Sequence, residues 1–159
     1  MFQKVLLAAA LQHWDVPSPH ARAAREVATQ LAKASWHPLV VLTVYTSPNL
    51  PRVHPPLIGR AVVAESQQLL MAEEAALYAD MEAKLRDYVD AIARAGVAVV
   101  PQIRRGNPRE EVVHVAEEIE ADCLVIGSPS TRSVFERSGM VQAICQRAPA
   151  VVVMAAPAQ

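Results

Sequence analysis

Two hydrophobic patterns alternate along the chain from one end to the other. Short continuous apolar runs are typical of strands buried on both faces, and apolar residues spaced three and four apart are typical of helices with one buried face. The runs predict five strands, at residues 5–10, 39–45, 97–103, 123–126 and 150–154. Because these strands alternate with helices, we expect an α/β fold, a five-stranded parallel sheet with helices on both faces in a single domain.

Helix signals separate the predicted strands. Ser18 followed by Pro19 is a typical helix start, because serine caps free backbone amides and proline fits the first turn. Asn107 with Pro108 repeats that signal. The predicted helices span residues 18–35, 62–95, 107–120 and 140–147, and Gly96 ends the longest. A coiled coil is the alternative for the long helix, but its heptad pattern is not sustained and a strand-like run follows at once, which favours a crossover helix.

Residues 46–59 connect the second predicted strand to the long helix and contain four prolines. Proline lacks the amide that a helix interior needs, so this segment is predicted to be irregular. We expect a surface loop, with a lid over a neighbouring cleft as the alternative.

Composition and charge narrow the class of protein. The chain of 159 residues is long enough for one domain with its own core, and its net charge of −1 provides no bulk field to attract nucleic acid or an anionic membrane. Cys123 and Cys145 each lie in an apolar run, which favours buried thiols in a reducing compartment over a disulfide framework. The first apolar run is too short for a signal peptide or a spanning helix. We therefore expect a cytoplasmic protein.

The most distinctive local feature is the loop after the fourth predicted strand. Small and hydroxyl-bearing residues follow Gly127, Arg132 lies among them, and the next helix begins near Ser138 and Gly139. Backbone amides, hydroxyl groups and the positive end of a helix together suit a phosphate group. The alternative is an ordinary strand-to-helix connection made of turn residues.

The position of this loop in the predicted sheet supports a binding site. In open parallel sheets, ligands bind beyond the carboxyl ends of the strands, at the point where the strand order reverses. The loops after Ala10, Tyr45 and Ile126 are therefore the candidate site.

The sequence lacks the usual catalytic and metal-binding signatures. Gly127 and Ser128 do not form a nucleophile elbow, since the second glycine is missing, and neither a Walker loop nor a GxGxxG motif occurs. The five histidines are scattered and form no ligand pair at helical spacing. We expect no metal cofactor, and no residue stands out as the general base that hydrolysis of a bound nucleotide would need.

Over nearly its whole length the sequence resembles the universal stress protein family. Residues 4–10, 42–44 and 106–126 are similar to the corresponding segments of that family. After the fourth strand the family carries a glycine, two residues, a second glycine, nine residues, and then a glycine with a serine or threonine. Gly127 matches the first glycine, and Ser130 stands in place of the second. Ser138 and Gly139 stand at the third position in inverted order and one residue early.

The resemblance implies that the chain binds an adenine nucleotide, ATP or AMP, at the carboxyl ends of the strands. The implied binding residues are Ala10, Val44, Ile126, Gly127, Ser128, Ser130, Arg132, Ser138, Gly139 and Met140. Nucleotide-binding members have an aspartate at the position of Ala10, where it contacts the base or the ribose. Asp15, a few residues later, is the candidate substitute.

The resemblance also implies self-association and limits the function to three hypotheses. Members of the family commonly form dimers through the last strand, which here runs from Ala150 to Met154. We expect a single domain of residues 1–155, followed by a flexible tail of residues 156–159.

The first hypothesis is a dimeric regulatory module that binds an adenine nucleotide. The second is a dimeric stress-response or scaffold protein whose pocket has degenerated. The third is an enzyme that slowly hydrolyses the bound nucleotide.

Overall fold

The computed structural model describes residues 2–47, 60–127 and 139–157. The strands are β1 (Val5–Ala8), β2 (Leu39–Tyr45), β3 (Val99–Arg105), β4 (Cys123–Gly127) and β5 (Val151–Ala155). The helices are α1 (Pro19–Lys33), α2 (Arg60–Arg94), α3 (Pro108–Glu118) and α4 (Gly139–Arg147). The predicted α/β fold is confirmed. Apart from its first two residues, the predicted loop or lid at residues 46–59 lies outside the described part of the chain.

The five strands form one parallel sheet in the order β3-β2-β1-β4-β5. The chain moves outward from β1 to β2 and β3, and it then returns to place β4 on the other side of β1. The strand order therefore reverses between β1 and β4, where a parallel sheet opens a crevice at its carboxyl end.

Several strand boundaries differ from the prediction by one or two residues, and those of β1 and β3 differ most. β1 ends at Ala8 instead of Ala10, because its pairing with β4 ends where Ala8 lies beside Ile126. β3 runs two residues further than predicted because it pairs with β2 along the full length of that strand, up to the Tyr45 and Arg105 pair. An edge strand tolerates such polar residues, since its outer side is not covered.

Alternate residues of the strands build a hydrophobic core on each face of the sheet. Val5 and Leu7 of β1 belong to the core under α1 and α2, whereas Leu6 belongs to the core under α3 and α4. Tyr88 of α2 is fully buried in the first core, and its hydroxyl donates a hydrogen bond of 2.7 Å to the carbonyl of Ala21 in α1. The two helices on that face are thus joined by a polar contact as well as by packing.

Both predicted helix starts carry the expected cap. The Ser18 hydroxyl accepts a hydrogen bond of 3.2 Å from the amide of Ala21, and the Asn107 side chain accepts one of 3.0 Å from the amide of Arg109. In the part of the chain that the structure describes, no helix is both long and apolar enough to cross a membrane.

Candidate functional site

The candidate site lies at the carboxyl end of the sheet, where β1 and β4 meet. Just beyond β1, the amide of Ala9 donates a hydrogen bond of 2.9 Å to the carbonyl of Leu42. The buried hydroxyl of Thr43 donates one of 2.9 Å to the carbonyl of Ala9. These two bonds hold the end of β1 against β2 after its pairing with β4 has stopped. The chain then leaves the sheet at Ala10, which is exposed.

Four of the residues predicted for the site are found together at this end of the sheet. Val44 lies near the end of β2, Ile126 and Gly127 complete β4, and Ala10 follows β1. Val44 and Ile126 both belong to the core under α3 and α4, so their side chains point to the same face of the sheet. The sheet topology therefore brings these four residues to the same end of the sheet, and their role in a binding site stays a prediction.

The other predicted residues fall in or beside the loop after β4. Ser128, Ser130, Arg132 and Ser138 lie outside the described residues. Gly139 and Met140 form the first two positions of α4. Backbone amides at the start of a helix have no partner within the helix and carry a partial positive charge, so this position suits an anionic group.

Gly127 occupies a position that has no room for a side chain. A Cβ atom at this residue would lie 2.8 Å from the carbonyl oxygen of His20 and 3.0 Å from its carbonyl carbon. His20 is the second residue of α1, so the end of β4 lies directly against the start of that helix. The glycine that the sequence singled out for a phosphate loop is therefore also required for packing between β4 and α1.

The loop between β1 and α1 adds residues that the sequence analysis missed. The side-chain amide of Gln12 donates to the carbonyl of Thr46 at 2.8 Å and accepts from its amide at 2.9 Å, which ties this loop to the end of β2. The Trp14 ring packs edge-on against the ring of His20, with centroids 6.2 Å apart. Asp15, predicted as a substitute acceptor, is exposed in the same loop. Only the placement of a tryptophan in a loop beside the candidate site could have been noticed in the sequence.

A cleft of about 270 Å³ lies beside this loop, between the end of β3 and α2. It is lined by Gln12, Ser47, Leu70, Glu73, Glu74, Leu77 and Arg105. Arg105 forms an ion pair with Glu74, which removes it as a free cation for a phosphate group. Burial raises the pKa of Tyr45, and the carboxylate of Glu74 raises it further, so Tyr45 stays protonated at neutral pH.

Metal chemistry has no evident site in the described ranges 2–47, 60–127 and 139–157. Within them, no three histidine, cysteine, aspartate or glutamate side chains are placed to hold a metal ion.

Cys123 is buried in β4, and burial raises the pKa of its thiol to about 11, so the reactive thiolate is disfavoured at neutral pH. Cys145 is exposed on α4, contrary to the prediction that both thiols are buried.

The reversal of strand order between β1 and β4 and the contact of Gly127 with the start of α1 define an α/β domain with a candidate ligand site at the carboxyl end of its sheet. The sequence profile of the universal stress protein family matches residues 1–155. The chain therefore belongs to the universal stress protein family.

Solved structures share this fold. The hypothetical protein MJ0577 is similar over 100% of this chain and 99% of its own, with a TM-score of 0.73 and 16% identity. A universal stress protein in complex with cAMP is similar with a TM-score of 0.61 and 17% identity, over 99% of this chain and 98% of its own. A universal stress protein family protein from Arabidopsis thaliana with AMP bound has a TM-score of 0.60 and 18% identity, over 98% of this chain and 92% of its own. Identities this low show a common fold. None of the curated proteins matches the chain.

Proposed function

We propose that this protein is a cytoplasmic regulatory module that binds an adenine nucleotide, ATP or AMP, in the crevice between β1 and β4. The observation that carries the proposal is the junction of Gly127 with the start of α1, at the point where the strand order reverses. Structural relatives with cAMP and AMP support the choice of ligand. The backbone near Val44 would hold the base, and the amides at the start of α4 would face the phosphates.

The second hypothesis is a scaffold protein of the same fold whose pocket no longer binds a nucleotide. Ala10 favours it, because an alanine provides no acceptor for the base or the ribose. Ser130 favours it as well, because it replaces a glycine that would let the backbone approach a phosphate. Hydrolysis of the nucleotide is the weakest hypothesis, since no general base has been identified at the site.

Calorimetry separates the first two hypotheses. Nucleotide-stripped protein is titrated with ATP, AMP and cyclic AMP, and the ligand that copurifies with the untreated protein is identified by mass spectrometry. Saturable heat near one nucleotide per chain supports the nucleotide-binding module. The scaffold hypothesis predicts no heat with any of the three and no copurified nucleotide. Stoichiometric loss of ATP that persists after repurification would support hydrolysis.

Self-association through β5 is the second part of the proposal. In the described part of the chain β5 pairs with one strand, β4, so its outer edge is available to a second copy. Val151, at its start, is an exposed large apolar residue with 56% of its surface accessible. Pairing with the same strand of another copy around a two-fold axis would cover this edge and satisfy its backbone groups.

The opposite edge of the sheet offers a matched control for this dimer. Val100 of β3 is also exposed, at 39%, but its strand carries Pro101, which cannot donate to a pairing strand, and two arginines. We expect Val151→Lys to convert the dimer to a monomer in sedimentation or light scattering, whereas Val100→Lys leaves the dimer intact. A dimer that survives Val151→Lys and is lost in Val100→Lys would place the interface on β3.

A further inference from the structure

Trp14 is a large aromatic residue whose position is not explained by packing in the hydrophobic cores. Its side chain is 47% exposed, and among the described residues it joins neither core of the sheet. Its amide donates a hydrogen bond of 3.4 Å to the carbonyl of Leu11, so the chain turns immediately after it leaves β1. The turn keeps Trp14 near the carboxyl end of the sheet, close to Ala10.

The ring of Trp14 also lies close to the end of β4. Its edge-on contact with His20, at an interplanar angle of 85°, places it over the second residue of α1. The backbone of that same residue lies against Gly127. Trp14, His20 and Gly127 therefore form one continuous row of contacts beside the crevice of the proposed nucleotide site.

We infer that Trp14 stacks on the base of the bound nucleotide, and that the site accepts purine nucleotides with little discrimination between adenine and guanine. This inference rests on the proposed function. Ala10 leaves the site without a side-chain acceptor at the position where one would select the base or the ribose. Stacking on an indole ring discriminates little between adenine and guanine, because both bases present a π face to the ring.

The two tryptophans of the chain allow a direct optical test. Trp36 lies in the turn between α1 and β2, at the opposite end of the sheet, and is 95% exposed. The Trp36→Phe variant reports on Trp14 alone, and the Trp14→Phe variant reports on Trp36 alone. Each is titrated with AMP, GMP and ribose 5-phosphate, and wild-type protein is titrated with the same ligands by calorimetry.

We expect AMP and GMP to quench the emission of Trp36→Phe and to leave that of Trp14→Phe unchanged. Ribose 5-phosphate, which has no base, leaves both unchanged. In calorimetry, AMP and GMP bind the wild type within about tenfold of each other. Trp14→Ala binds AMP roughly 5- to 150-fold more weakly, and Trp14→Phe, which keeps an aromatic face, retains most of the affinity.

The outcomes separate this inference from the proposed function. Heat with AMP in the wild type, together with unchanged Trp14 emission and unchanged affinity of Trp14→Ala, overturns the inference and leaves the proposed function in place. A preference for AMP over GMP well beyond tenfold overturns the inference that the site discriminates little between adenine and guanine. An absence of heat with AMP, GMP and ATP in the wild type removes the proposed function and the inference with it.

Discussion

The amino and carboxyl ends of the sheet differ in the contacts that position β1 and β4. At the amino end, the Asp122 carboxylate accepts hydrogen bonds of 2.8 and 2.9 Å from the backbone amides of Gln3 and Lys4, and so fastens the start of β1 to the start of β4. At the carboxyl end, the same two strands separate after Ala8, and Gly127 brings β4 against α1 without contributing a side chain.

The two ends therefore differ in the groups that hold β1 and β4 in place, and the proposed binding site lies at the carboxyl end. At the amino end, a charged side chain satisfies backbone amides that precede β1. At the carboxyl end, the close approach at Gly127 brings the end of β4 against the start of α1, and a helix start suits a bound anion. Four substitutions test this comparison.

The largest effect is expected at the carboxyl end, from Gly127→Ala. The added Cβ meets a backbone carbonyl at 2.8 Å, so β4 and α1 must move apart. We expect a loss of about 1–3 kcal/mol in the free energy of unfolding, measured by denaturant titration. His20→Ala in the same chain serves as the control and is not expected to restore stability, because the obstructing atom belongs to the backbone. A loss below about 0.5 kcal/mol would contradict the close approach.

At the amino end, Asp122→Asn tests the carboxylate that joins β1 to β4. Desolvation raises the pKa of Asp122, but the amide hydrogen bonds from Gln3 and Lys4 outweigh it, and the net pKa lies below the usual value. We expect Asp122→Asn to lower stability by about 1–2 kcal/mol at pH 7, where the carboxylate is charged.

The pH dependence of this deficit follows from the direction of the pKa shift. A pKa lowered by folding stabilises the protein above about pH 4, and this contribution disappears as the pH falls through the folded value. The stability of wild type and Asp122→Asn should therefore converge as the pH falls below about 4. A deficit of equal size at pH 3 and pH 7 would show that the carboxylate charge is not the cause.

The third substitution, Ala10→Asp, adds an acceptor at the carboxyl end. Because Ala10 is exposed, the larger side chain fits without repacking. We expect AMP to bind about tenfold more tightly in calorimetry, since a charged acceptor can hydrogen-bond the base or ribose. Ala10→Val, which adds volume without an acceptor, is the matched control and should not strengthen binding. Equal affinities in all three proteins would place Ala10 outside the binding site.

The smallest effect is expected at Glu120, beside the amino end. Glu120 has a φ of 52°, and it follows α3 in a left-handed turn closed by hydrogen bonds from its own amide to Glu117 and from Ala121 to Ala116. Glycine removes a left-handed penalty of about 1–2 kcal/mol and adds an entropic cost of about 0.5–1 kcal/mol, so Glu120→Gly should stabilise the protein by about 0.5–1 kcal/mol in thermal denaturation. Glu120→Ala also loses the contact with Lys4 but keeps the strain, and it should give no gain.

Local sequence patterns were enough to predict most of the elements. The capping residues Ser18 and Asn107 lie at the predicted helix starts, because a cap depends on its immediate neighbours. The extent of β3 was mispredicted because it is set by its pairing with β2, a partner far away in the sequence. Gly127 was singled out from its motif, whereas the contact between Trp14 and His20 could not be predicted, because it joins a loop to the first turn of α1.

The sequence by itself determined the order of strands and helices, the buried character of each strand and the resemblance to the universal stress protein family, since these depend on residues close together in the chain. Only the tertiary structure decided that Asp122 binds the amides of Gln3 and Lys4, that Gly127 lies against His20 and that the Trp14 ring packs edge-on against His20. Each of these contacts joins separate elements, and packing of the whole sheet is needed to bring them together.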